Sequence, residues 1–193
     1  MSGFGDRVPG WISVNQMEFV AKQMRAFGAT GKMLEIGPAC GRLSDYLHEQ
    51  LPNWKYTAVD PWENHVNPCR LLLDWSGLHE EPNLGEVITK QMFTENCPFV
   101  EAHQCLFEDW ETTEKFNVIN IGFGKSQDFY VIYEKAKQLL QATSPAGTIV
   151  VTNFNYINRS SIESAVTKNN LRIQEIKWED VGEEYRSSCL ITE

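Results

Sequence analysis

The sequence predicts an α/β domain, a three-layer sandwich around a seven-stranded, mostly parallel sheet with an antiparallel C-terminal strand. Three observations predict it. Short apolar runs bounded by turn residues alternate with stretches of helical apolar spacing from residue 14 onward. A small-residue turn, Gly37-Pro-Ala-Cys-Gly41, joins one such run to an amphipathic stretch. The chain then ends on two strand-like runs with no convincing helix between them, which suggests an antiparallel edge pair.

Each element has its own warrant. Residues 14–28 carry Val14, Met17, Val20, Ala21, Met24 and Phe27 at helical spacing, and Gly28 stops the helix. Met33–Ile36 is a short strand that runs into the glycine turn. Leu43, Tyr46, Leu47 and Leu51 resume helical spacing before Pro52, and Tyr56–Val59 forms a second strand ending on Asp60-Pro61. Residues 61–98 hold Pro61, Pro68, Pro82 and Pro98 with Trp62 and Trp75, and read as a lid or an edge insertion. Within them Arg70–Trp75 is a short-helix candidate and Leu84–Phe93 a helix. Phe99–Leu106 and Phe116–Ile121 follow as strands, and Asp128–Gln141 as a helix with Val131, Ile132, Ala136, Leu139 and Leu140 on one side. Pro145-Ala-Gly147 turns the chain into the strand Thr148–Phe154. Ser160–Lys168 reads as a short helix, and Leu171–Trp178 and Ser187–Thr192 as the closing strands.

No repeat, low-complexity tract or linker interrupts this order, so residues 1–193 read as one domain. A chain of 193 residues can bury a full core without disulfides or metals. Apolar residues at 42% and charged residues at 22% argue against wholesale disorder. Seventeen Lys+Arg against twenty-six Asp+Glu leave a net charge of −9, which argues against nucleic acid or an anionic membrane as main partner. The apolar runs fall far short of the ~20 residues that span a bilayer. Residues 1–10 lack the apolar core of a signal peptide, so the protein reads as soluble and cytoplasmic. Five cysteines, at 40, 69, 97, 105 and 189, include no CxxC pair; reduced and mostly buried thiols are the expectation.

The stretch that carries chemistry is Met33-Leu-Glu-Ile-Gly-Pro-Ala-Cys-Gly-Arg-Leu43. A strand runs through small residues into a helix, whose first N–H groups have no partner within the helix. Glycine there allows a tight turn and close approach of a ligand. In open α/β sheets, ligands sit beyond the carboxyl ends of the strands, where strand order reverses. Asp60, 19 residues after Gly41 and at the end of the next strand, is placed to accept hydrogen bonds from both hydroxyls of a ribose. Ordinary turn residues at Gly37, Gly41 and Asp60-Pro61 are the blander alternative. A dinucleotide site fits Asp60 but calls for G-x-G-x-x-G, whereas this turn reads Glu35-x-Gly37-x-Ala39-x-Gly41.

That spacing resembles the first motif of the class I S-adenosylmethionine (SAM) dependent methyltransferases, an acid followed by small residues at alternate positions. Ala39 stands where the middle glycine is commoner. The resemblance runs from about Gly31 to the C-terminus. Tyr56-Thr-Ala-Val-Asp-Pro-Trp62 is similar to small-molecule O-methyltransferase-like members. Asn117-Val-Ile-Asn-Ile-Gly-Phe-Gly-Lys-Ser126 occupies the place of their Ile-Asp-Gly-Asp-His-Ser segment. The resemblance implies a Rossmann-like fold, SAM as cofactor and methyl transfer to a small-molecule acceptor; the absence of an Asn-Pro-Pro-Tyr-like amino-methylation motif favours oxygen over exocyclic nitrogen as the acceptor. By it, Gly37, Pro38, Ala39 and Gly41 would back the methionine part of SAM. Glu35 would sit near its amino group or hold the loop. Asp60 and Pro61 would meet the ribose, Trp62 would pack beside the adenine, and Cys105 and Leu106 would border it where an acid is common. Gly122 would complete the cofactor set.

Relatives that hold a divalent metal use carboxylates at the ends of the fourth and fifth strands, as hard cations require. The matching positions here are Gly122, Gly124, Lys125, Asn153 and Phe154, so no metal is expected. Lys125 is a candidate for binding an anionic acceptor, with a solvated loop residue as the blander reading. His65, just after Asp-Pro-Trp, is the candidate general base. His48 is expected to face solvent, His103 lies mid-strand, His79 lies in a loop, and Asp128 is a helix-start acid. The partners implied are a small acceptor, no nucleic acid and no membrane, with a homodimer left open. The missing acids also motivate an alternative, a non-catalytic module that binds SAM or S-adenosylhomocysteine (SAH).

Overall fold

The computed structural model describes residue 8 and residues 12–62, 89–122, 129–142, 146–155, 167, 172–181 and 184–192. Helix α1 (Val14–Phe27) starts at a reciprocal cap. Ser13 Oγ accepts from the Gln16 N–H at 3.2 Å, while the Ser13 N–H donates to Gln16 Oε1 at 3.1 Å. The helix buries Met17, Phe19, Val20, Ala21 and Met24 and ends at Gly28, whose φ is +129°.

The strands are β1 (Lys32–Ile36), β2 (Lys55–Asp60), β3 (Val100–Gln104), β4 (Val118–Gly122), β5 (Thr148–Asn155), β6 (Arg172–Val181) and β7 (Glu184–Thr192). They form one sheet in the order β3-β2-β1-β4-β5-β7-β6. The first five named run parallel, β7 pairs antiparallel with β5, and β6 pairs antiparallel with β7. Strand β1 lies between β2 and β4, so the order reverses there, which makes its carboxyl end the switch point of the sheet.

Alternation along each strand divides the core in two. Met33, Tyr56, Ala58, Val100, Val118 and Val150 pack on one face against α1, α2 (Arg42–Gln50) and Phe93 of α3 (Lys90–Asn96). Leu34, Ile36, Val59, Ile119, Ile121, Ile149 and Val151 pack on the other, against Ile132, Tyr133, Ala136 and Leu139, with Phe107, Trp110 and Phe116. Ile132, Tyr133 and Ala136 belong to α4 (Phe129–Gln138).

Several elements differ from the expectation. Thr89 Oγ1 accepts from the Met92 N–H at 3.1 Å, so α3 begins at Lys90, and its last turn closes at Cys97, whose N–H bonds the Phe93 carbonyl at 2.8 Å. The expected helix 84–93 is therefore shifted towards the C-terminus; its residues 84–88 lie outside the described ones. Residues 89–98 of the expected lid or insertion pack into the core through Phe93 and Cys97, both fully buried. His48 does not face solvent. Its ring stacks on Phe99 at 3.7 Å between centroids and meets Tyr56 edge-on at 5.8 Å. Phe99 arrives from a turn 51 residues later, which the spacing within α2 cannot show. The short-helix candidate 70–75 lies outside the described residues, and so does 160–168 except Thr167, which is helical.

Candidate functional site

The turn between β1 and α2 is built from backbone that side chains resist. Gly37 has φ +75°, and a Cβ on it would lie 2.7 Å from the Gly122 carbonyl oxygen at the end of β4. Its N–H donates to the Val59 carbonyl at 3.0 Å, which ties the turn to β2 as well. Gly41 has φ +94°, and its Cβ would fall 2.6 Å from Cys97 Sγ. Between them Pro38 is buried, and Ala39 adopts φ +51°, left-handed and strained for a residue with a Cβ.

Gly41 caps α2 but has no side chain with which to bond the first turn. Glu35 does that work from β1. Its carboxyl accepts from the Ser44 backbone N–H and from Ser44 Oγ at 2.5 Å. A negative group there also suits the positive end of the helix. Burial pushes the Glu35 carboxyl up to about 7, the Ser44 bonds pull it down, and nearby Asp60 adds to the rise.

Asp60 ends β2 and is buried, with Oδ1 accepting from the Trp62 N–H at 2.8 Å. Trp62 is itself left-handed, at φ +42°, and its ring is buried 5.0 Å from that of Phe93. Its Nε1–H donates to the Ala39 carbonyl at 3.0 Å. The two left-handed residues other than glycine, among those described, are thus bonded to each other. Strain of this kind persists where the surroundings over-determine it, and it gathers at ligand sites. Pro61 is half-buried, and its carbonyl accepts from Gln104 Nε2 at 3.2 Å.

The structure therefore gathers Glu35, Gly37, Pro38, Ala39, Gly41, Asp60, Pro61, Trp62 and Gly122 at the carboxyl ends of β1, β2 and β4. Cys105 and Leu106 follow β3 at the outer end of that edge. Cys105 is half-buried, with its thiol pushed up chiefly by burial, and Leu106 is exposed. His65, His79, Gly124, Lys125 and Asp128 lie outside the described residues. His103 is half-buried, 3.1 Å from Glu101 and 5.0 Å from the Trp110 ring, away from this turn. Among the described residues, no three His, Cys, Asp or Glu side chains gather to hold a metal ion, and no helix is long and apolar enough to cross a membrane.

Three side chains escaped the sequence reading: Ser44, Asn120 and Thr152, all buried. Thr152 Oγ1 donates to Asn120 Oδ1 at 3.1 Å, and Asn120 is the register partner of Glu35 across β1 and β4. The only signal for Asn120 was one polar residue inside the apolar run Val118-Ile-Asn-Ile121.

No family model and no curated protein matches the sequence. Solved structures do. A ribosomal protein L11 methylase from Lactobacillus delbrueckii subsp. bulgaricus is 14% identical, with TM-score 0.61 over 96% of this chain and 80% of that one. A precorrin-6y C5,15-methyltransferase from Geobacter metallireducens GS-15 is 13% identical, with TM-score 0.59 over 91% of this chain and 87% of that one. The N-methyltransferase NodS from Bradyrhizobium japonicum WM9, in complex with SAH, is 14% identical, with TM-score 0.56 over 94% of this chain and 89% of that one. The chain has the fold that these methyltransferases share.

Proposed function

We propose that this chain binds SAM and transfers its methyl group to a small-molecule acceptor, at an oxygen and without a metal. One observation carries the reading. The left-handed turn 37–41, held from beneath by Glu35 and from the side by Trp62, stands beside the Asp60 carboxylate at the switch point of the sheet. That is the arrangement a nucleoside with a short polar tail needs, and a structural neighbour, NodS, was crystallised with SAH.

In this reading SAM, when bound, supplies a methyl group on a positively charged sulfur. Asp60 accepts from the ribose hydroxyls while Trp62 keeps its carboxylate oriented through the bond to Oδ1. The turn 37–41 lets backbone approach the amino-acid end, and Cys105 and Leu106 border the base. In-line transfer draws much of its rate from such positioning. An acceptor that is already an anion needs no base; an alcohol gives its proton to His65 or to water. The same reading places the protein in the cytoplasm, where its buried thiols stay reduced.

Calorimetric titration with SAM, SAH and NAD tests it. The expectation is micromolar binding of the first two and none of the third. A folded sample that binds neither SAM nor SAH overturns it. Asp60→Ala should weaken SAH binding by about 1–3 kcal/mol, the cost of an unmade polar contact, with a thermal melt run alongside because Trp62 also leans on Asp60. A second reading, binding without turnover, is favoured by Gly122, which has no carboxylate at the end of β4. SAH binding with no methyl transfer across a panel of phenols, alcohols and carboxylates supports that reading instead.

A further inference from the structure

Three successive carbonyls of the turn 37–41 are held from outside it. The Ala39 carbonyl accepts from Trp62 Nε1–H at 3.0 Å, the Cys40 carbonyl from Asn96 Nδ2 at 3.0 Å, and the Gly41 carbonyl from the Cys97 thiol at 3.4 Å. The bond to a carbonyl also fixes which way the Asn96 amide points, because only its nitrogen can donate. Cys40 Sγ adds a further contact, to Met92 Sδ at 3.8 Å. Trp62 follows β2, whereas Met92 and Asn96 lie on α3 and Cys97 caps it. Both described ends of the stretch expected as a lid or insertion therefore grip the same turn.

The grip is close. A Cβ on Gly41 would lie 2.6 Å from Cys97 Sγ and 3.1 Å from two ring carbons of Phe93, so α3 approaches the turn only where a side chain is missing. Cys97 and Phe93 are fully buried, and the Val100 N–H bonds the Cys97 carbonyl at 3.1 Å, which ties this end of α3 to β3. Within the turn, the Gly41 N–H donates to the Pro38 carbonyl at 2.9 Å. Gly37, Ala39 and Gly41 all have positive φ, a shape that persists only when the surroundings over-determine it. A ligand that had to order the turn on arrival would lose affinity in doing so.

We infer that Asn96 and Cys97 are positioning residues for the cofactor. Together with Trp62 they hold the carbonyls of residues 39–41 and keep the turn in its binding shape before the ligand arrives. Both act through the turn. This inference deepens the methyltransferase reading above and rests on it for the identity of the ligand.

Asn96→Leu removes the donor at similar size, and Cys97→Ala carries the test if that variant fails to fold. Two measurements are made on the full chain well below its melting temperature. The first needs no ligand and follows amide hydrogen exchange at the Gly41 N–H. Its comparison is the Thr148 N–H, which bonds the Asn117 carbonyl at 2.9 Å where β5 begins. A general loss of stability speeds exchange at Thr148 as well, whereas release of the turn speeds it at Gly41 alone. The second is calorimetric titration with SAH. The expected result is exchange roughly 3- to 10-fold faster at Gly41 with Thr148 unchanged, and SAH bound roughly 3- to 10-fold more weakly, as for one neutral hydrogen bond. Equal changes at the two amides, or none at Gly41, overturn the inference. So does an unaltered SAH affinity when Gly41 exchange has risen. SAH calorimetry on the unsubstituted chain judges the cofactor reading separately. If that chain binds no SAH while the variant still speeds exchange at Gly41 alone, the cofactor reading falls and the hold on the turn stands.

Discussion

The two faces of the sheet are built to different rules. The face covered by α4 is almost wholly apolar at its centre, with Leu34, Ile36, Ile119, Ile121, Ile149 and Val151 buried to within 4% exposure. The face covered by α1 and α2 starts in the same way, with Met33, Val118 and Val150, and then changes towards the carboxyl ends. There Glu35, Asp60, Asn120 and Thr152 are buried on the strands, and Ser44 on the helix above them. Buried polar groups cost stability unless each is bonded, so a concentration of them on one face and at one end marks where the fold serves something other than its own stability. The buried polar groups at the carboxyl edge are carried on one face, while the other supplies apolar packing.

The sharpest way to test this division is to damage the apolar face. Leu34 is fully buried between Met33 and Glu35 but points away from them. Leu34→Ala should lower unfolding free energy by about 2–5 kcal/mol in a urea titration. The folded fraction should still bind SAH with its original affinity. A comparable loss of affinity would show that the two faces are not separable.

The next effect comes from Glu35 on the polar face and depends on pH. Its carboxyl lies at about 7 in the folded chain, above an ordinary value of 4.5, so the folded state holds the proton more tightly. Between those values the unfolded chain has released its proton and the folded chain has not, so raising the pH favours unfolding. The contribution is complete below about 4.5 and is lost as pH rises through about 7. Its size is of order 3 kcal/mol, since one unit is about 1.4 kcal/mol. Glu35→Gln keeps the shape and an acceptor for Ser44 but does not titrate. The difference between the two melting curves across pH 4–8 should show this slope, and parallel curves would mean that Glu35 ionises as freely folded as unfolded.

A smaller effect is expected at the clasp between the loops. Trp62→Phe keeps a ring against Phe93 but removes the Nε1–H donor to the Ala39 carbonyl. The loss should be about 1 kcal/mol in thermal unfolding, with a parallel weakening of SAH binding because the turn 37–41 is less firmly held. Loss of stability alone, with SAH affinity kept, would make the clasp a matter of folding only.

How much of this was legible differs between the two faces. The apolar face shows in the sequence because a buried parallel strand reads as an unbroken apolar run, such as Thr148-Ile-Val-Val151. The turn 37–41 was also legible, since Gly37 and Gly41 stand where φ is positive and where a Cβ would strike Gly122 or Cys97. The polar partners were not. Glu35 and Ser44 are nine residues apart, and nothing local says that the acid on the strand caps the helix that Gly41 leaves uncapped. Asn120 meets Thr152 across 32 residues, and His48 meets Phe99 across 51, so each pairing depends on strand order or on a distant turn. Trp62 was expected beside a base; its indole N–H is bonded to a loop that lies 23 residues earlier.

The smallest expected effect has the opposite sign and probes the turn itself. Ala39 holds φ +51°, a conformation that disfavours a Cβ by roughly 1–2 kcal/mol. Ala39→Gly relieves that strain. It also frees the unfolded chain, which takes back about 0.4–1 kcal/mol. The small packing contact of the Ala39 methyl against the core is lost as well. The net expectation is a stabilisation below about 1 kcal/mol, read as a slight rise in melting temperature. SAH binding should not improve with it, because a glycine at 39 lets the turn leave the left-handed shape that Trp62 fixes through the Ala39 carbonyl. Stability and affinity rising together would mean that the strain at Ala39 opposes the ligand. A stability gain with affinity flat or reduced means that the strained alanine keeps the turn in its binding shape, as the division between the two faces requires.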